Sequence, residues 1–153
     1  MMHADREVMF DLGGPIDRAA SDAKLDRYAS WFEQHGFSRW AVEDDLGRFL
    51  GYAGVCPRLE PHRPLGPHVE IGWRLVRAAW GFGYATEAAR AALDDVFAHF
   101  QFPEILSYTA TENRRSRSVM ERLGLQRDAS RDFTTEQDGA GPWSGLVWFA
   151  RRP

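Results

Sequence analysis

Two glycines separated by one residue, Gly81 and Gly83, lie in the stretch WGFGYATEAAR, directly before an alanine-rich segment with helical spacing. A strand that ends in such a turn and leads into a helix directs several backbone N–H groups outward, and the positive end of the helix dipole attracts anions. Glycine at both positions removes the Cβ atoms that would obstruct a phosphate approaching the main chain. By spacing alone, the pattern fits an anion site and a simple tight turn about equally well.

The segments around this turn predict a mixed α+β domain. Before it, residues 22–35 space apolar side chains at helical intervals, and Gly36 supplies a C-terminal stop. The apolar residues at helical intervals are Leu25, Tyr28, Ala29 and Phe32. The next elements, in order, are a hairpin within 39–56, a buried strand at 69–76, a helix from Ala85 and a strand at 105–112. A second short helix follows, capped by Asn113, with Val119, Met120 and Leu123 facing inward. Two last strands are predicted near 131–136 and 145–151.

Composition limits the class of protein. The chain has 153 residues, 44% of them hydrophobic, which suits a single domain over residues 1–153. The net charge of −3 argues against a nucleic-acid partner, and no apolar run approaches the ~20 residues of a membrane span. Cys56 is the single cysteine, and the five histidines show no metal spacing. We therefore expect a soluble cytoplasmic protein that holds no metal.

Two well-known phosphate-binding motifs fail in detail at the glycine turn. A dinucleotide-binding fingerprint needs a third glycine, and Thr86 stands at that position. A Walker A loop needs Gly-Lys-Ser/Thr, which the chain lacks. Nucleotide binding is thus the weakest of the interpretations.

The longer pattern resembles the GNAT superfamily of acyl-CoA-dependent N-acetyltransferases, and most closely its Rim-type branch of ribosomal-protein N-terminal acetyltransferases. The matching stretches are HVEIGWRLVRAAWGFGYATEAARAALDDVF and ENRRSRSVMERLGLQRD, together with the hairpin WAVEDDLGRFLGYAG. They span roughly residues 39–130. The resemblance implies a central, mostly antiparallel sheet flanked by helices, and acetyl-CoA as the acyl donor.

The resemblance also implies which residues hold the cofactor. The turn is expected to bind the pyrophosphate. Phe82 stands where the family often has a cation, so binding there would rely on backbone amides. The main chain of the strand before the turn and Asn113 are expected to bind the pantetheine arm, and Ser116 is expected to lie near the sulfur. The implied cofactor-binding residues are Trp73, Arg74, Leu75, Val76, Trp80, Gly81, Phe82, Gly83, Tyr84, Ala85, Thr86, Asn113 and Ser116.

In the chemistry that the resemblance implies, an amine attacks the thioester directly. The developing oxyanion would accept a hydrogen bond from a backbone N–H near Gly72–Leu75. Glu70 is the candidate general base, with a salt-bridged carboxylate as the alternative, and His68 shares its strand face if the alternation holds. Ser116 is the candidate acid, because the position of the family's tyrosine is Met120. The alternative function is a non-catalytic acyl-CoA-binding or interaction module.

The start of the chain departs from the family. Relatives of this kind begin with a strand and a full first helix, so we expect the N-terminal strand to be missing. An exposed sheet edge would then be free to pair with another chain, which predicts a homodimer.

Overall fold

The computed structural model describes residues 2–137 and 141–153, and the tip of the predicted last turn lies outside the described residues. Their three α-helices are α1 (Arg18–His35), α2 (Tyr84–His99) and α3 (Arg114–Arg122). Their strands are β1 (Arg39–Glu43), β2 (Phe49–Arg58), β3 (His68–Leu75), β4 (Glu104–Ala110), β5 (Gln126–Arg127), β6 (Phe133–Gln137) and β7 (Gly141–Arg151).

The strands form one mixed sheet in the order β1-β2-β3-β4-β7-β5, with β6 also paired to β7. All pairings are antiparallel except that of β3 with β4. The mixed α+β class with a mostly antiparallel sheet is therefore confirmed. Strand β1 pairs with β2 along one side only within the described residues, and the homodimer expected from a free edge stays a prediction.

The core lies on the face of the sheet that α2 and α3 cover. Helix α2 buries Ala89, Ala92, Leu93 and Val96, as its apolar spacing predicts. Helix α3 adds Val119 and Met120, and both helices pack against Ile71 and Ile105 of the central strands. This packing fixes the first turns of α2 and α3 beside the carboxyl ends of β3 and β4.

Helix α1 forms where the helical spacing predicts it and ends before Gly36, but it is largely exposed. It has no buried residue, and its apolar side chains Leu25 and Phe32 are 65% and 53% exposed. Helix α1 lies across the other face of the sheet, where the ring of Tyr28 lies 5.4 Å from that of Tyr52 on β2, and Lys24 and Tyr28 line the cleft described below. Among the described residues, no helix combines the length and apolarity needed to cross a membrane.

Candidate active site

A cleft of about 1580 Å³ runs across the middle of the sheet. It exists because parallel strands β3 and β4 pair at one register position, Glu70 opposite Leu106, and separate beyond it. Past that point the edge of β3 that faces β4 lacks a strand partner among the described residues. The opening leaves peptide groups of β3 free to pair with an extended ligand.

At one end of the cleft lies the glycine turn. Gly81 and Gly83 have φ angles of 85° and 88°, in the left-handed region that glycine tolerates. Gly83 is the N-cap of α2, and the first intrahelical bond runs from the Glu87 N–H to the Gly83 carbonyl. The N–H groups of Tyr84, Ala85 and Thr86 therefore have no intrahelical acceptor. No atom lies within 4 Å of a Cβ built at either glycine, so the space above the turn is open.

The residues present at this end fit the pyrophosphate of a coenzyme A molecule. The open space, the free amides and the helix dipole together form an anion-binding surface. Phe82 is 73% exposed and offers no charge, so an anion at this turn would rely on the backbone amides. Arg115 lies 4.2 Å above the ring of Trp80, which places a guanidinium beside the turn.

Most of the predicted cofactor-binding residues line this cleft. They are Trp73, Arg74, Leu75, Trp80, Gly81, Phe82, Gly83, Tyr84, Ala85, Thr86, Asn113 and Ser116. Val76 does not, because its N–H donates to the carbonyl of Leu50 on β2.

Asn113 and Ser116 meet at the start of α3. The Asn113 side-chain oxygen accepts the Ser116 N–H at 3.0 Å, which makes Asn113 the N-cap. Its side-chain amide donates to Asp11 Oδ2 at 2.6 Å, so the N-terminal segment reaches the group that the resemblance assigns to pantetheine. Ser116 is half-buried at the cleft.

The predicted base, Glu70, lies at the point where β3 and β4 separate, buried between two arginines. Its carboxylate accepts hydrogen bonds from Arg39 Nη2 at 3.2 Å and from Arg58 Nε. The hydroxyl of Tyr108 donates to the same carboxylate at 3.0 Å. Burial alone would raise the pKa of Glu70, but Arg58 and Arg39 lower it to about 2. A carboxylate with these partners has little basicity at neutral pH.

Two facing glycines explain how Arg39 reaches Glu70. Gly54 of β2 pairs opposite Gly72 of β3. The backbone of Ser38 and Arg39 lies over Gly54, and the guanidinium of Arg39 lies over Gly72. Arg39 Nη1 donates to the carbonyls of both glycines. A Cβ at Gly72 would approach Arg39 Nη2 to 2.7 Å, so glycine at this position leaves room for the guanidinium. We call the side of the sheet that bears these groups, with His68, Glu70, Gly72 and Arg74 of β3, the acceptor face.

His68 differs from Glu70 in having a free ring nitrogen. Its Nδ1 lies 2.7 Å from the carbonyl oxygen of Gly66. Because a carbonyl only accepts, Nδ1 carries the proton and Nε2 keeps a lone pair. Nε2 is buried and has no hydrogen-bond partner among the described residues. Burial lowers the pKa of His68, so the ring is neutral at pH 7.

The hairpin of β6 and β7 closes the acceptor face with aromatic rings. Tyr108 contacts Phe133 edge-on with ring centroids 5.4 Å apart, and Phe133 lies 5.6 Å from Trp143. The ring of His68 lies 5.7 Å from Tyr108 on the other side. The Nε1 of Trp143 is buried without a hydrogen-bond partner among the described residues. The site therefore joins an anion-binding turn to a half-apolar chamber that contains a neutral imidazole.

Comparison with known proteins agrees with this geometry. The family model described as the acetyltransferase (GNAT) domain matches residues 1–126. The chain belongs to the GNAT acetyltransferase family. One relative is the uncharacterized protein YkkB of Bacillus subtilis, 38% identical over 130 residues that make up 82% of this chain and 72% of YkkB.

Solved structures place the chain in the GNAT fold. An acetyltransferase from Agrobacterium tumefaciens is 27% identical, with a TM-score of 0.76 over 98% of this chain and 81% of that one. Spermidine N-acetyltransferase from Vibrio cholerae, in complex with CoA and spermine, is 16% identical, with a TM-score of 0.73 over 99% of this chain and 86% of that one. At 16% identity this second likeness concerns the fold alone.

Several residues of the site were not among the sequence candidates. Arg39 lies on β1, Arg58 on β2 and Tyr108 on β4, all outside the glycine turn and the segment that begins at Asn113. Arg58 reaches this face because it pairs opposite His68 in the antiparallel register, which alternation along one strand does not reveal.

Proposed function

We propose that this GNAT protein, as a single domain of residues 1–153, transfers an acetyl group from acetyl-CoA to a primary amine by direct attack. The observation that carries the proposal is the opening between β3 and β4. It connects the amide turn at residues 81–86 with the acceptor face, where a neutral His68 lies beside a fixed Glu70.

The cofactor end of the cleft would hold the acyl donor through main-chain groups. Acetyl-CoA supplies the activated acyl group when bound. The N–H groups of Tyr84, Ala85 and Thr86 bind its pyrophosphate, and Arg115 adds charge beside them. The open edge of β3 past Glu70 orients the extended arm, as an added strand would be oriented.

On the acceptor face, His68 accepts the proton that the amine loses when its nitrogen bonds to the acyl carbon. A lysine amine has a reference pKa of ~10.4 and an α-amine one of ~8, so proton removal is needed in both cases near pH 7. Nε2 of His68 has the free lone pair for this, whereas all the hydrogen bonds of Glu70 are to Arg39, Arg58 and Tyr108. Glu70, the first candidate base, is then a positioning residue.

Ser116 is the proposed hydrogen-bond donor to the departing thiolate. Because the reference pKa of a thiol is only ~8.5, a hydrogen bond from the hydroxyl is enough to stabilise the thiolate, and serine need not give up its proton. The half-buried side chain lines the cleft at the start of α3, next to Asn113. Cys56 has no such role, because it is fully buried in β2.

Assignment to the Rim-type branch is a finer proposal than the family membership. It rests on the sequence resemblance alone, and fold cannot choose an acceptor. The panel that tests it contains peptides with free N-termini beside amino acids and polyamines.

The experiment that tests the proposed function is thiol release from acetyl-CoA, followed with a thiol reagent, across that panel of amines. We expect at least one amine to increase release well above the amine-free rate, because the cleft joins a donor site to a base. If CoA raised the melting temperature while no amine increased release, the non-catalytic acyl-CoA-binding module would be the correct interpretation.

A further inference from the structure

The acceptor face has an excess of cationic side chains. The arginines and lysine that line this side of the cleft are Lys24, Arg27, Arg39, Arg58, Arg63 and Arg74. Such a concentration is unusual in a chain whose net charge is −3. The charge of this face is therefore a local feature and not a consequence of overall composition.

Most carboxylates near this face already form an ion pair or a hydrogen bond with another side chain of the protein. Glu70 is shared by two arginines, as described above, so that group keeps one net positive charge. Glu7 pairs with Arg77 at 3.1 Å, and Asp11 accepts a hydrogen bond from the side-chain amide of Asn113.

Arg63 is neutralised by Glu60 at 2.7 Å. The remaining carboxylate on this side, Glu136, is exposed on the hairpin of β6 and β7. Among the described residues, Lys24 and Arg74 form no ion pair with any carboxylate.

These two cations also lie in unfavourable surroundings. Lys24 is half-buried on α1, and its pKa is lowered by burial first and then by the positive charges of Arg74 and Arg27. Arg74 directs Nη1 at the thioether sulfur of Met9, 2.7 Å away, and a thioether is a weak acceptor. Both side chains would be stabilised by an anion between them.

We propose that the acceptor amine carries a carboxylate, which Lys24 and Arg74 bind while the amine faces His68. The inference rests on the proposed function, since it identifies the substrate class of the same site. Polyamines and aminoglycosides are disfavoured, because their additional positive charges would meet those of the acceptor face. The rings of Phe133 and Trp143 supply the apolar wall for the rest of an amino acid.

Comparing each amino acid with its primary amide isolates the contribution of the carboxylate charge to binding. Glycine, β-alanine and phenylalanine would each be compared with the primary amide, with 2-aminoethylphosphonate as the phosphonate counterpart and spermidine as the polycation. Binding to the CoA-bound protein is measured by calorimetry, and acetyl transfer by thiol release. We expect acids to bind about tenfold or more tightly than their amides, as charged hydrogen bonds allow. Carboxylates that bind more tightly than the phosphonate identify an amino acid.

The variants K24M and R74M remove each cation without introducing a carboxylate. Either should reduce the preference for acids over amides, and K24M should leave the affinity for CoA alone unchanged. The matched control is R18Q, which removes a charge from the same helix at a side chain that is 78% exposed and outside the cleft.

Each outcome decides the inference. Tighter binding of acids, lost in K24M or R74M and kept in R18Q, supports it. Equal binding of acids and amides, tighter binding of spermidine or of the phosphonate, or a preference that both variants retain would overturn it. The proposed function is judged separately: thiol release with any amine upholds it even if the preference for acids is absent.

Discussion

Replacing Glu70 with glutamine is expected to lower the free energy of unfolding by about 3–5 kcal/mol, because it leaves two buried arginines without a counter-charge. The pKa of Glu70 falls from 4.5 to about 2 in the folded protein. A carboxylate with a lowered pKa stabilises the fold at pH values above its unfolded pKa, and the stabilisation is lost as pH falls through the folded pKa. A shift of this size corresponds to roughly 3 kcal/mol.

Urea denaturation of wild type and E70Q between pH 7 and pH 2 measures this effect. The difference between the two proteins should be full at pH 7 and should shrink as pH falls from about 4.5 toward 2. The control is E104Q, which removes a half-exposed partner of Arg131 and should change stability by no more than about 1 kcal/mol. An E70Q protein as stable as wild type would contradict the role of Glu70 as the anchor of Arg39 and Arg58.

Replacing His68 with glutamine is expected to reduce kcat by about 10²–10⁴-fold, the usual contribution of a general base. Glutamine keeps a hydrogen-bonding side chain but cannot accept a proton near pH 7. In wild type, kcat/KM should decrease as pH falls through the lowered pKa of His68, below 6.5, because the ring becomes protonated there. H68Q should lack this acid limb and retain wild-type affinity for CoA.

Steady-state kinetics from pH 5 to 9 and CoA titration check this prediction. The control is H99Q at an exposed histidine near the end of α2, remote from the cleft, which should behave as wild type. If H68Q kept both its rate and its acid limb while E70Q lost both without unfolding, the base would be Glu70, as the sequence first indicated.

The cofactor end of the site was predictable because its signals are local. Gly81 and Gly83 require a turn, and the alanine spacing that follows requires a helix with an amphipathic face, so the sequence alone places free amides at the N-terminus of α2. Asn113 is a typical capping residue and likewise predicts the start of α3.

The acceptor face was not predictable in the same way, because it depends on strand register. Arg39 meets Glu70 only when β1, β2 and β3 pair so that Gly54 and Gly72 lie together beneath Arg39. Alternation along one strand does not contain this information. The sequence reading of Glu70 as a base, with a salt bridge as the alternative, reflects that gap.

Helix α1 shows a second limit. Leu25 and Phe32 have the spacing of an inward face, yet both are exposed, because periodicity shows that a helix is amphipathic without showing what covers it. The residues of α1 that line the proposed site are Lys24 and Tyr28. One is charged and the other aromatic, so a hydrophobicity pattern does not group them on one face.

The central claim is direct transfer of an acetyl group to an amine nitrogen, and mass spectrometry with ¹³C-acetyl-CoA tests it most directly. The protein would be incubated with labelled donor alone and then with the amine that gives the fastest thiol release. The account predicts that the label appears in an N-acetyl product in step with free CoA and is absent from the protein before the amine is added. Label bound covalently to the protein, or CoA binding with no acetylated amine from any acceptor, would contradict it.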